Sequence, residues 1–121
     1  MSGKAVCFYV SGHGLGHASR AAQVMRCLPP EVPLIVKSAA PEDFFRREAG
    51  RPLEYVNDRF DVECWQASNI EIDWERTFRE AIEVQTESTE RLREEAAFIR
   101  ERGVGVVVAD VPPPPLQAAA L

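Results

Sequence analysis

No apolar run in this 121-residue chain is long enough to cross a bilayer, which excludes a membrane-spanning helix. Positive charge is also in deficit. Against 19 acidic residues stand only 14 Lys and Arg, a formal net charge of −5, so the long-range field repels phosphate polymers and offers DNA or RNA no basic footprint. Cysteine is scarce: Cys7, Cys27 and Cys64 are odd in number, widely spaced and without a CxxC pair. That pattern argues against a disulfide framework and a structural zinc site and predicts reduced thiols in a cytoplasmic protein. The amino-terminal MSGKAVCFYV holds one lysine and too short an apolar stretch for a signal peptide, and reads as a first strand. What is present is ordinary for a globular domain, 45% hydrophobic and 27% charged, and the length fits one domain.

Along the chain, AVCFYV (5–10) is a continuous apolar run of β-formers, the pattern of a strand buried on both faces of a parallel sheet. A glycine loop follows. Beyond it Ala21, Val24, Met25 and Leu28 recur at helical spacing and predict a helix that ends at PPEVP. PLIVKSAA (33–40) predicts a second buried strand, and PEDFFRREAG (41–50) a short helix with proline at its start and glycine just past its end. LEYV and FDVECW suggest short strands, while QASNIEID has loop composition. From Trp74 to Arg102 the spacing predicts one long helix laid on the sheet through Phe78, Ile82, Leu92, Ala96 and Ile99. Its opposite charges, Arg76 with Glu80, Arg79 with Glu83 and Glu87 with Arg91, read as a solvated face. VGVVVAD (104–110) predicts another buried strand, followed by VPPPP and the start of a helix, LQAAAL, at which the chain stops mid-element. Strands alternating with helices specify a Rossmann-like three-layer α/β domain with a parallel sheet and right-handed crossovers. In such a fold ligands sit at the carboxyl ends of the strands, where both the glycine loop and Asp110 fall.

The loop, YVSGHGLGHASRA (9–21), gathers three glycines and both histidines of the chain. Gly12, Gly14 and Gly16 let the backbone turn sharply and approach a ligand, and the helix behind them presents unpaired N–H groups and a positive dipole end, suited to a phosphate or diphosphate. It is not a Walker loop, having no GK[ST] lysine, and not a dinucleotide fingerprint, since His17 stands where the third glycine belongs and the second strand lacks the acidic ribose ligand. His13 and His17 lack the glutamate of an HExxH zinc site, and no metal is expected. His13 either contacts the ligand or fills space below the loop. His17, at the helix start and facing the strand ends, suits a general base or a hydrogen bond to a substrate hydroxyl.

FYVSGHGLGHASRAAQVMR resembles the opening of the GT-B glycosyltransferases, and within them the branch with a GHGxGHAxR motif, which includes bacterial glycosyltransferase-like proteins and the N-terminal domain of plant L-arabinokinase. WQASNIEID is similar to that branch's VQxDxLxVD, with Ser68 where the branch tends to have aspartate, and VVVADVPPP to its strand ending in SDVxP, with a longer proline run. The resemblance spans essentially the whole chain. It implies that residues 1–121 form the acceptor-side, N-terminal half of a GT-B enzyme, truncated at the C-terminal end or working as one part of a split enzyme. It implies no cofactor beyond a nucleotide-sugar donor, UDP-linked, held mostly by a C-terminal domain or a partner chain, and an acceptor hydroxyl whose identity is open. His17 and Asp110 would be catalytic; Gly12, His13, Gly14, Gly16 and Arg20 would meet the diphosphate; Gln66 and Asp73 would contact substrate. Arg20 reads equally as a surface arginine, and Asp73 as an N-cap of the following helix. The alternative is a non-catalytic binding or regulatory module of a larger protein such as a sugar kinase.

Overall fold

A computed structural model describes residues 3–60, 68, 71–86, 88–110 and 114–121. Four strands, β1 (Ala5–Val10), β2 (Leu34–Ser38), β3 (Glu54–Asn57) and β4 (Val104–Asp110), form one sheet in the order β3-β2-β1-β4. Every neighbouring pair is parallel: β1 pairs with β2 from Val6↔Leu34 to Val10↔Ser38, and with β4 from Ala5↔Val104 to Val10↔Asp110. This is the parallel α/β architecture expected from the alternation of apolar runs and helices.

The apolar runs become strands because both of their faces are covered. On one face Phe8, Val10, Leu34 and Val36 pack with Ala18, Ala21 and Met25 of α1 (Gly16–Cys27) and Phe45 and Ala49 of α2 (Glu42–Ala49). On the other face Ala5, Cys7, Tyr9 and Ile35 pack with Phe60 and, at the margin, Phe98 of α4 (Ser88–Glu101). A short α5 (Pro114–Ala119) lies against α4 and β4. The helix expected at 41–50 runs from Glu42 to Ala49, with acids in its first turn, Arg46 and Arg47 in its last and Gly50 beyond it in a left-handed conformation (φ 62°).

The segment expected as one long helix from 74 to 102 is helical as α3 (Trp74–Thr86) and α4, on either side of residue 87, which lies outside the described residues. On α4, Phe98 packs against the sheet-side cluster and Ala96 is buried. On α3, Phe78 and Ile82 are 60% and 63% exposed, and Trp74 stacks on Phe78 in the same outward row. Helical spacing fixes which residues share a face, not which face is covered. Here the inward-facing charge is Glu80, which accepts from Arg59 at 2.7 Å.

One of the three charge pairs is redrawn. Arg76 does reach Glu80, at 3.7 Å, but Arg79 donates to Glu75 at 3.1 Å. The pair expected between Glu87 and Arg91 falls on Glu87, outside the described residues; Arg91 donates to Asp58 and, at 2.6 Å, to the carbonyl of Arg59. Cys64 and most of FDVECW lie outside the described residues. No helix among the described residues is long and apolar enough to cross a membrane.

Candidate functional site

The carboxyl ends of β1 and β4 lie side by side, Val10 opposite Asp110, and the amide of Ser11 donates to the Asp110 carbonyl at 3.2 Å. The glycine loop therefore begins beside Asp110. Its glycines do different work. At Gly12 the backbone passes so close to the turn after β2 that an added Cβ would lie 2.7 Å from the Ala39 Cβ, so this glycine is required by packing of the protein on itself. Gly14 has open space around it and needs glycine for its conformation, φ +73°. Gly16 opens α1, again with open space where a Cβ would stand.

The start of α1 is left uncapped. Leu15 occupies the N-cap position without a side-chain bond, and the first turn contains no acid. The first helical hydrogen bond runs from the Ser19 amide to the Leu15 carbonyl at 2.8 Å. The amides of Gly16, His17 and Ala18 precede it, and a helix end of this kind carries partial positive charge with free donors. His13, in the loop, is exposed; its amide donates to Ser11 Oγ at 3.3 Å.

One turn further, three side chains meet. His17 Nδ1 lies 3.2 Å from Asp110 Oδ1, and Arg20 Nη2 lies 3.1 and 3.3 Å from the two Asp110 oxygens and 3.1 Å from His17 Nδ1. His17 and Asp110 come from opposite ends of the chain. With 31% of its side chain exposed, His17 is no core histidine; Asp110 is 20% exposed and Arg20 67%. With its proton on Nδ1, His17 donates to the carboxylate and keeps Nε2 as a lone-pair acceptor, the arrangement in which a carboxylate orients a histidine base. A cavity of about 220 Å³ adjoins this cluster, bordered by Arg20 and Asp110 and otherwise lined by Phe8, Ala21, Val24, Val108 and Ala109.

Thus His17, Arg20 and Asp110 are brought together, and the loop glycines stand at the same edge. Asp73 is not part of this cluster. Its Oδ1 accepts from the Arg76 amide at 3.0 Å, so it caps α3, the alternative noted for it in the sequence. Gln66 lies outside the described residues. Among the described residues no three His, Cys, Asp or Glu side chains are grouped as a metal ion would require.

Sequence reasoning missed a second polar cluster, on the other face of the sheet. Lys37, in the middle of an apolar strand, is buried and donates to Glu95 Oε1 at 2.6 Å, with Asp58 at 3.8 Å. Tyr9 donates to the same Glu95 oxygen at 2.5 Å, and the Lys37 ammonium lies 4.0 Å from the centre of the Phe98 ring. Burial, the nearby Cys7 thiol and the bond to Glu95 all push the Tyr9 phenol well above its ordinary range. Burial likewise pushes the Cys7 thiol up to about 12. The lysine inside LIVKS was the available signal, because a buried ammonium must find a counter-charge.

No protein-family model matches this sequence, and no curated protein or solved structure matches it.

Proposed function

We propose that this chain is the acceptor-side half of a glycosyltransferase that moves a hexose or related sugar from a nucleotide sugar to a hydroxyl. The observation that carries the reading is the His17–Asp110 pair at 3.2 Å, standing at the carboxyl edge of a parallel sheet beside an uncapped, acid-free helix start. The resemblance of the GHGLGHASR segment to the GT-B branch adds the reaction class. The four-stranded parallel sheet is compatible with a Rossmann-like half of such an enzyme.

In this mechanism the acceptor hydroxyl gives its proton to His17 Nε2 while its oxygen forms a bond to the anomeric carbon. The bond from that carbon to the diphosphate oxygen breaks, and the nucleoside diphosphate leaves with the electron pair. Asp110 holds the His17 ring through Nδ1–H and stabilises the imidazolium that forms. The charge on the departing diphosphate is met by the amides at the start of α1 and by Arg20. The donor's nucleotide, UDP in this reading, is held by a second domain or chain.

The test is a sugar-transfer assay with a panel of nucleotide sugars and hydroxyl acceptors. The 121-residue chain alone is expected to show no turnover, because holding donor and acceptor together is worth as much as roughly 7–11 kcal/mol and one wall of the site cannot supply it. Joined to its donor-binding domain it should transfer sugar, and His17→Ala should lower kcat far more than it weakens donor binding. Turnover by the chain alone overturns the half-site assignment. An unchanged kcat in His17→Ala removes the histidine from the mechanism.

A further inference from the structure

The three contacts among His17, Arg20 and Asp110 cannot all be hydrogen bonds at once. A carboxylate only accepts, a guanidinium only donates, and Nδ1 of a histidine does one or the other according to where its proton sits. Yet Nδ1 lies 3.2 Å from Asp110 Oδ1 and 3.1 Å from Arg20 Nη2. With the proton on Nδ1, His17 bonds to Asp110 and leaves Nε2 bare, but an Arg20 N–H then faces an N–H. With the proton on Nε2, Arg20 donates to Nδ1, the Asp110 oxygen faces a lone pair, and no bare nitrogen remains to act as a base. While Arg20 stays in place, each tautomer carries one unfavourable contact.

We propose that Arg20 is a positioning residue that sets the tautomer of His17, and that an anionic ligand at the start of α1 draws Arg20 away from Asp110 and so switches His17 to the base-competent form. The trigger rests on the diphosphate reading given above; the competition for Nδ1 does not. Arg20 is the partner free to move. Its side chain is 67% exposed on a long stem, whereas Asp110 is 20% exposed and belongs to a strand. It also stands one turn from the free amides of α1, so a diphosphate held there offers its planar guanidinium two phosphate oxygens at once, in place of a carboxylate already shared with His17. The charged groups meeting His17 are Arg20 from its own helix and Asp110 from β4. Once Arg20 has left, Asp110 alone faces Nδ1, and the proton belongs there.

The experiment is a long-range proton–nitrogen NMR correlation on the 15N-labelled 121-residue chain, at a pH where His17 is neutral, for wild type and Arg20→Gln, with and without inorganic pyrophosphate. In the free proteins the fraction of His17 protonated on Nε2 should be larger in wild type than in Arg20→Gln. Pyrophosphate should move the wild-type Nδ1 signal toward the protonated position and the Nε2 signal toward the bare one, and should leave the tautomer of Arg20→Gln unchanged. Equal tautomer fractions in the two free proteins overturn the role of Arg20. Pyrophosphate that shifts the amides of Gly14 to Ala18 but not the ring nitrogens overturns the switch. Pyrophosphate that shifts neither refutes the diphosphate reading and its trigger together, and tautomer selection by Arg20 is then decided by the free proteins alone.

Discussion

Gly12 and Gly14 are two residues apart and have opposite reasons to be glycine, which separate experiments can expose. At Gly12 the obstacle is Ala39, whose Cβ, carbonyl carbon and Cα lie 2.7, 3.0 and 3.1 Å from where a new Cβ would be built. Gly12→Ala should cost about 1–3 kcal/mol, the usual penalty of overpacking, and Ala39→Gly in the same protein should recover part of it. Denaturant midpoints of the two single variants and the double variant measure this; a double variant no better than Gly12→Ala would mean that the contact is not the cause. Arg51 is another residue whose work is invisible in the sequence. Its guanidinium donates to the carbonyls of Met25, Leu28, Pro29, Pro30 and Val32 at 2.7 to 3.3 Å, closing the end of α1 and the proline turn after it. Hydrogen bonds to a charged donor are the stronger kind, and with the site half-buried, Arg51→Ala should lose roughly 2–4 kcal/mol of stability. Arg51→Lys, a point charge without the fork, should restore less than half, as thermal or urea melts would report.

At the scale of elements, α4 is fastened to the sheet by charge as much as by apolar contact. Glu95 receives Tyr9 from β1 and Lys37 from β2, while Arg91 one turn earlier grips Asp58 beyond β3. Removing one partner of a buried pair strands the other, so Lys37→Met should destabilise by about 3–5 kcal/mol. Lys37→Met combined with Glu95→Gln leaves no uncompensated charge and keeps an acceptor for Tyr9, and its loss should be clearly smaller. Urea titrations decide; equal losses in the single and double variants would show that the pair's charge is not what matters.

This level is also where sequence reading reached its limit. β1, β2 and β4 were legible as largely apolar runs, and α2 from the proline before it and the glycine after it. The orientation of α3 was not, since Trp74, Phe78 and Ile82 mark a face without saying whether anything covers it. In the candidate site, His17, Arg20 and the glycines could be read from a local motif. Asp110 was legible only as the end of a strand, and its contact with His17 depends on a pairing between strands far apart in sequence. Lys37 with Glu95, and Arg51 with its carbonyls, are contacts between elements, which no local pattern encodes.

For the molecule as a whole, burial of Cys7 and Tyr9 side by side on β1 sets an alkaline limit. The Cys7 thiol is raised from an ordinary 9.0 to about 12, and the Tyr9 phenol is raised from an ordinary 10.0. Because both values are higher in the folded chain, their contribution to stability is fully present below the unfolded values. It is lost as pH rises through the window above them. The urea midpoint should therefore fall progressively from about pH 9 upward. Cys7→Ala should flatten the first part of the decline and Tyr9→Phe the part above pH 10. A midpoint constant to pH 11 would rule this out.

The β1–β4 pairing also has a consequence in time. His17 and Asp110 are separated by 93 residues, so at synthesis rates of about 5–20 residues per second a nascent chain carries the histidine for roughly 5–20 s before its carboxylate partner has been made. Through that interval the β4-facing edge of β1 has no strand beside it, and the His17–Asp110 pair cannot form. Translation speed over the helices between, rather than any step in the chemistry, sets how long the growing chain must be shielded from its neighbours.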